Sequence, residues 1–376
     1  MSRVSWVKII MLQRLLSLSP VLAFCFGLCG TANAETPAVI GEVQTYTAES
    51  QDTFAALAER FNTGYVALIA ANPGIDPWLP GAGTQITIPS QYIVPPGLGS
   101  ASGAPHEGIV VNLGELRLYY YPVPNGTPES YAIGIGREGK ETPHGQTTIV
   151  RKVANPVWYP TANTRADKPE LPAAVPAGED NPLGLYALYL GWPTYLIHGT
   201  NNSQGVGRQA SRGCMRLYPD SIERLFKEVP VGTKVTVIDE PVKFVWLEGE
   251  LYMSIFPSTT QIDELEDHNS MTPAAPPDLT HLVLAAAGED AARLDWATIR
   301  KAADERRGYP VRITNGNEAT PSEPPKDDMT DVDLTTDKIE RPVETIAPSD
   351  DAGDLNRQEI QKLDDGTQKP DRGPAP

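Results

Sequence analysis

Cysteine is scarce in this chain: Cys25, Cys29 and Cys214 are the three among 376 residues. No CxxC or HExxH spacing surrounds Cys214, so the common zinc motifs are missing and neither metal nor cofactor is expected. Positive charge is also short, with 31 Lys and Arg against 48 Asp and Glu and a net charge of -17. Phosphate neutralisation needs basic patches, so a nucleic-acid partner is excluded. Phe, Tyr and Trp are missing after position 315, where sixteen acidic and seven basic residues stand among many prolines. Such a segment cannot bury enough apolar surface to fold alone, and residues 315–376 read as a disordered acidic tail.

A long apolar run is lacking as well. Residues 15–28 are mostly apolar yet too short for a comfortable membrane span. Arg3, Lys8 and Arg14 precede them, and Ala32-Asn33-Ala34 supplies a small-residue cleavage pattern. Residues 1–34 are therefore expected to be a signal peptide cut after Ala34, leaving no integral membrane segment in the mature protein. An uncleaved anchor is the competing reading.

Cleavage there removes Cys25 and Cys29 and leaves Cys214 alone, unable to form an internal disulfide. In an oxidising exported compartment a lone thiol is a liability unless it has work to do. The alternative is a small buried hydrophobe, but Cys214 sits in the polar stretch SRGCMR, not in an apolar run. Sixteen positions upstream, His198 closes an apolar run and is followed by Gly199. A thiol needs a base or a cation to react near neutral pH, and imidazole suits that task. Cys214 and His198 are thus a candidate nucleophile and base.

The chain is long enough for several folded units. Residues 44–90 read as strand, helix, helix, strand: Phe54, Leu57, Ala58 and Phe61 recur at helical spacing, Asp52 is placed as the N-cap, and short strands are expected at 46–50 and 84–89. Residues 91–105 are rich in Pro, Gly, Ser and Ala and read as a linker. From 106 to 239 the patterns are mainly strands, including a hairpin over 109–121, with one convincing helix near 221–229. A sandwich or partly closed barrel is expected, with His198 at a strand end and Cys214 opening another strand. Residues 240–314 add two strands, at 242–247 and 250–256, and helices at 279–287 and 291–305.

Two resemblances follow. YTAESQDTFAALAERFNTGYVALIAANPGIDPWLPGAGTQITIP resembles a LysM module, which implies binding to N-acetylglucosamine-containing glycans, with Asp76, Pro77 and Trp78 in the contact loop; a packing domain without ligand is the alternative. IHGTN and GVGRQASRGCMRLYPDSIERLF, with upstream GREGKETPHGQTTIVRK, NPVWYPTA and PAGEDNPLGLYALYLG, resemble a YkuD-type L,D-transpeptidase catalytic domain. They look closest to the Gram-negative subgroup that attaches an outer-membrane lipoprotein to peptidoglycan.

That resemblance implies Cys214 as nucleophile, His198 as general base, Gly199 as the carbonyl that orients the imidazole, and the N–H groups of Cys214 and Gly213 as oxyanion donors. Arg212 stands where many members carry a second histidine, so proton transfer falls to His198. Arg212 and Arg216 are expected either to favour a thiolate and clamp a substrate carboxylate, or to pair with Asp220 or Glu223 as scaffold. Ser211 is grouped with the substrate contacts, although a turn role suits it better. The implied substrate is the peptidoglycan tetrapeptide stem and the implied location the periplasm, with an outer-membrane lipoprotein as a partner. The alternatives are a hydrolase using the same cysteine and a wall-binding protein dominated by its LysM module.

Overall fold

The computed structural model of the chain describes residues 36–95 and 107–315. The expected signal peptide, the linker from 96 to 105 and the tail beyond 315 lie outside the described residues. The first unit runs β1 (Val39–Thr47), α1 (Phe54–Arg60), α2 (Tyr65–Ala71) and β2 (Gln85–Ile93). The strands pair antiparallel from Val39 opposite Ile93 to Thr47 opposite Gln85. β1 thus starts earlier than its composition suggested, and β2 takes in residues 91–93 that read as linker. Helix α1 buries Phe54, Leu57 and Ala58 on one face, but its cap is Thr53, whose hydroxyl accepts the Ala56 N–H at 3.2 Å. Asp52 is already committed: its carboxylate accepts the Tyr46 hydroxyl and the Glu49 N–H.

The second unit comprises β3 (Gly108–Asn112), β4 (Arg117–Tyr121), β5 (Glu129–Ala132), β6 (Ile135–Gly136), β7 (Gly145–Ala154), α3 (Ala162–Asp167), β8 (Tyr186–Leu190), β9 (Leu196–His198), β10 (Gln209–Ser211), β11 (Met215–Arg216), α4 (Pro219–Glu228) and β12 (Lys234–Ile238). Eight strands form one sheet in the order β11, β9, β8, β7, β12, β3, β4, β5, and β6 pairs separately with β10. The sheet curls until its edges meet. Just beyond β5, Gly134 and Arg216 of β11 exchange two backbone hydrogen bonds of 2.9 Å. Only glycine fits there, because a Cβ on residue 134 would lie 2.0 Å from the Gly205 carbonyl oxygen.

Ile109, Leu118, Ile149, Leu188 and Ile197 of this sheet share one contiguous buried cluster with Phe54, Leu57, Leu68 and Ile69 of the first unit. The first unit is therefore packed against the sheet. Its Asn62 covers the sheet edge, donating to the Ser130 carbonyl at 2.8 Å and accepting the Ala132 N–H at 3.2 Å. Gly64 and Gly207 meet backbone to backbone, so that a Cβ on residue 207 would fall 2.3 Å from the Gly64 Cα.

The third part holds β13 (Val242–Leu247), β14 (Glu250–Ile255), α5 (Thr259–His268), α6 (Leu279–Ala287), α7 (Trp296–Glu305) and β15 (Val311–Arg312); all but α5 surround a core of Leu251, Met253, Val283, Trp296 and Ile299, while α5 buries Ile262 and Leu265 in the cluster shared by the first unit and the sheet. Helix α7 opens at Trp296 and not at 291, because Asp295 caps it through the Ala297 and Thr298 N–H groups. Helix α5 is an unforeseen element; Ser258 and Gln261 form its capping box.

One buried polar junction ties the three parts together. The Lys243 side chain is 1% exposed and that of its partner Glu115 is fully enclosed, with 2.5 Å between Nζ and Oε2. The same ammonium donates to the Ile93 carbonyl and to the Tyr119 hydroxyl, while Asn112 donates to the other Glu115 oxygen. Removing one member strands a charge in the interior. Lys243→Met should therefore destabilise the protein by about 3–5 kcal/mol, and Lys243→Met with Glu115→Leu should recover most of that loss. Urea unfolding of both variants checks this; equal destabilisation would contradict it.

Candidate active site

Strand β9 delivers His198 at its last position, flanked by Ala187 of β8 and Arg216 of β11. Cys214 lies two residues before Arg216 on the β11 side. Nucleophile and base candidates, sixteen apart in sequence, are thus carried at the ends of adjacent strands.

His198 is buried, at 4% exposure. Its Nδ1 lies 2.6 Å from the Gly199 carbonyl oxygen. A carbonyl can only accept, so Nδ1 carries the proton and Nε2 keeps its lone pair. Gly199 is itself pinned by donation to the Tyr186 carbonyl at 3.0 Å, and a Cβ there would sit 2.9 Å from Ile222. Burial pushes the imidazole down to about 3, the Arg216 guanidinium adds to the shift, and the Gly199 and Leu183 carbonyls oppose it.

Cys214 is half-buried, yet surrounding protein pushes its thiol up to about 11, against the pull of the backbone at Leu196 and of Arg216. The Sγ–H donates to the Thr194 carbonyl at 3.5 Å. Thr194 holds φ +70°, a left-handed conformation unusual for a β-branched residue. That site was not legible in the sequence. At rest the pair is a neutral thiol and a neutral imidazole. Desolvation thus works against the thiolate that the arginines were expected to favour.

The turn before the cysteine is braced from within. Ser211 is buried, its hydroxyl donating to the Cys214 carbonyl at 2.6 Å and accepting the Gly213 N–H at 3.1 Å. Ser211 thus braces the turn, as its turn reading expects, and the Gly213 N–H is already engaged. Thr142, unmarked in the sequence reading, donates to the Gly213 carbonyl at 3.0 Å and accepts from the Gly136 N–H. Gly213 adopts φ +102°, with space for a Cβ closed off 2.7 Å from Tyr195.

The two arginines part company. Arg212 is bound to Asp167 of α3 at 2.6 Å, a partner other than the expected Asp220 or Glu223. The Arg216 side chain has no hydrogen bond or ion pair among the described residues, and its buried Nε is unpartnered. Its charge acts on both His198 and Cys214. In the first unit, Asp76 accepts the Trp78 and Leu79 N–H groups, the Pro77 carbonyl accepts the Phe54 N–H, and Trp78 is left 57% exposed.

A curled, mainly β domain thus carries a buried histidine and, at the end of the adjacent strand, the one cysteine among the described residues, the ingredients of a cysteine acyl-transfer site. Residues 106–237 match the family model described as YkuD, the L,D-transpeptidase catalytic domain. The probable L,D-transpeptidase ErfK/SrfK of Salmonella typhimurium is 42% identical over 266 residues, 69% of this chain and 82% of that protein. The probable L,D-transpeptidases YcfS and YbiS of Escherichia coli are each 40% identical, covering 73% and 76% of this chain and 85% and 94% of their own lengths. The chain belongs to the L,D-transpeptidase family, and it is an enzyme.

The site makes a prediction about the thiol. Cys214 is the sole cysteine among the described residues, and only a thiolate alkylates. With the thiol raised and the imidazole neutral, the iodoacetamide rate should climb about tenfold per pH unit from pH 7 to 10. A plateau between pH 5 and 8, followed by mass spectrometry, would reveal a preformed ion pair instead.

Proposed function

We propose that the protein acylates itself at Cys214 with the tetrapeptide stem of peptidoglycan and passes the stem to an amine. The observation that carries this reading is the His198 tautomer: with Nδ1–H held by Gly199, the Nε2 lone pair is the acceptor for the thiol proton. Because both groups rest neutral, proton transfer accompanies attack and no free thiolate accumulates. The sulfur adds to the carbonyl carbon of diaminopimelate at its L-centre as Nε2 takes the proton. Negative charge on the former carbonyl oxygen falls to the Cys214 N–H, since the Gly213 N–H is occupied by Ser211. Collapse breaks the amide bond, D-alanine leaves with the proton from Nε2, and a thioester remains. An acceptor amine attacks that thioester and gives its proton to Nε2, and the thiol is restored.

The acceptor we favour is the C-terminal lysine of an outer-membrane lipoprotein; the side-chain amine of a second stem gives a 3-3 cross-link, and water gives hydrolysis. Arg216, a cation without a protein partner, suits a substrate carboxylate. Arg212 serves the site through Asp167, steadying the loop that holds α3. The first unit acts as a LysM module with Asp76, Pro77 and Trp78 toward the glycan, and the mature protein works in the periplasm.

Incubation with a tetrapeptide stem or a carbapenem should add the corresponding acyl mass at Cys214, read by intact-protein mass spectrometry. Cys214→Ala should abolish the adduct, and His198→Ala should slow its formation by at least about 100-fold. A folded wild-type protein without adduct would contradict the proposal. Full-rate acylation of His198→Ala would remove histidine from its role.

A further inference from the structure

A groove of about 370 Å³ lies where the first unit meets the catalytic domain. Trp78 of the first unit lines one side, Gln204 and Arg208 follow from the stretch between β9 and β11, Glu266 comes from α5, and Arg216 reaches in from beside Cys214. The exposed Trp78 ring offers an apolar face, with its loop held by the two hydrogen bonds to Asp76 and its ring 6.5 Å from Tyr65. Such a face suits the C–H surface of a sugar.

The two cations in the groove differ in kind. Arg208 has a counter-charge, paired with Glu266 at 2.9 Å and stacked 3.8 Å over the Tyr65 ring, although its Nε, like that of Arg216, is unpartnered. Arg216 is half-buried and has no ion pair among the described residues. The natural complement of such a guanidinium is an anion from outside the chain. The walls cannot drift apart, because Gly64 and Gly207 are in backbone contact, the Val66 N–H donates to the Gly207 carbonyl, and the Tyr218 hydroxyl donates to the Thr63 carbonyl. An aromatic platform and an unpaired guanidinium are thus held in one groove, and the same Arg216 acts electrostatically on the Cys214 thiol two residues away.

We propose that this groove binds a single saccharide-linked acidic peptide, its sugar against Trp78 and a peptide carboxylate on Arg216. The first unit then presents to Cys214 the same strand that it grips, and does not anchor the enzyme to a separate part of the wall. This rests on the transpeptidase reading above and adds the path of its substrate.

The test compares two donors with the full mature chain: the free tetrapeptide and the disaccharide-tetrapeptide. For each, kcat/KM for release of D-alanine is measured. The wild type should prefer the sugar-bearing donor by about tenfold or more, Trp78→Ala should bring that ratio close to one, and Trp78→Phe should keep most of it. A wild-type ratio near one, or a ratio that Trp78→Ala leaves untouched, would overturn the inference. So would loss of binding to intact cell wall in Trp78→Ala with the ratio unchanged, since that result describes a separate anchor. Failure of the wild type to release D-alanine from either donor is a different outcome, because it removes the transpeptidase reading itself and this inference with it.

Discussion

A single hydrogen bond, from Nδ1 of the buried His198 to the Gly199 carbonyl, organises the candidate site. It determines which ring nitrogen holds a proton, and so which one faces the chemistry. Its geometry depends on neighbours at several levels: the register that places His198 at the end of β9, the Tyr186 carbonyl that receives the Gly199 N–H, and Ile222, which leaves no room for a side chain at residue 199. Burial then decides the charge state. Arg216 would stabilise a thiolate, but desolvation is the larger effect on both Cys214 and His198, and it leaves each neutral. The Cys214 thiol is thereby kept quiet until a substrate arrives.

Packing extends that constraint outward. The turn that carries Cys214 is braced by Ser211 and Thr142, and the stretch leading into it is held against the first unit through Gly207. The first unit and the sheet share one apolar cluster. The Lys243 and Glu115 pair then locks the end of β2, the β3–β4 hairpin and the third part into one junction. This buried pair differs in kind from Arg212 and Asp167, which meet near the surface where water screens them. The former holds the architecture; the latter can at most steady a loop.

Much of this was legible in the sequence where local pattern and tertiary demand agree. The hairpin after 109, the strand at 234–238, the strand pair at 242–255 and the placement of His198 at a strand end all carry apolar or β-branched signals bounded by turn residues. β1 was misplaced because its middle is exposed on both faces, so no alternation marks it; only its pairing with β2 defines it. Asp52 and Thr53 are both good caps, and the choice between them turned on Tyr46 and Glu49 drawing the carboxylate away. Helix α5 has only Ile262 and Leu265 as strongly apolar buried positions and gave little periodicity. In the site, residue identity suggested the nucleophile and base. It could not show that Arg212 would find Asp167, that Ser211 would turn inward, or that desolvation would defeat the cation beside the thiol. Each of those is a product of distance and burial, which sequence does not encode locally.

The claim at the centre of this account is a neutral His198 imidazole with its proton on Nδ1. Nitrogen-15 NMR of the mature protein labelled in its histidine rings, followed from pH 8 to pH 5, tests it directly. The account predicts a His198 signal with Nδ1 protonated, Nε2 unprotonated and no titration across that range, since burial holds the group near 3. A midpoint near 6.5, or a proton resident on Nε2, would contradict it.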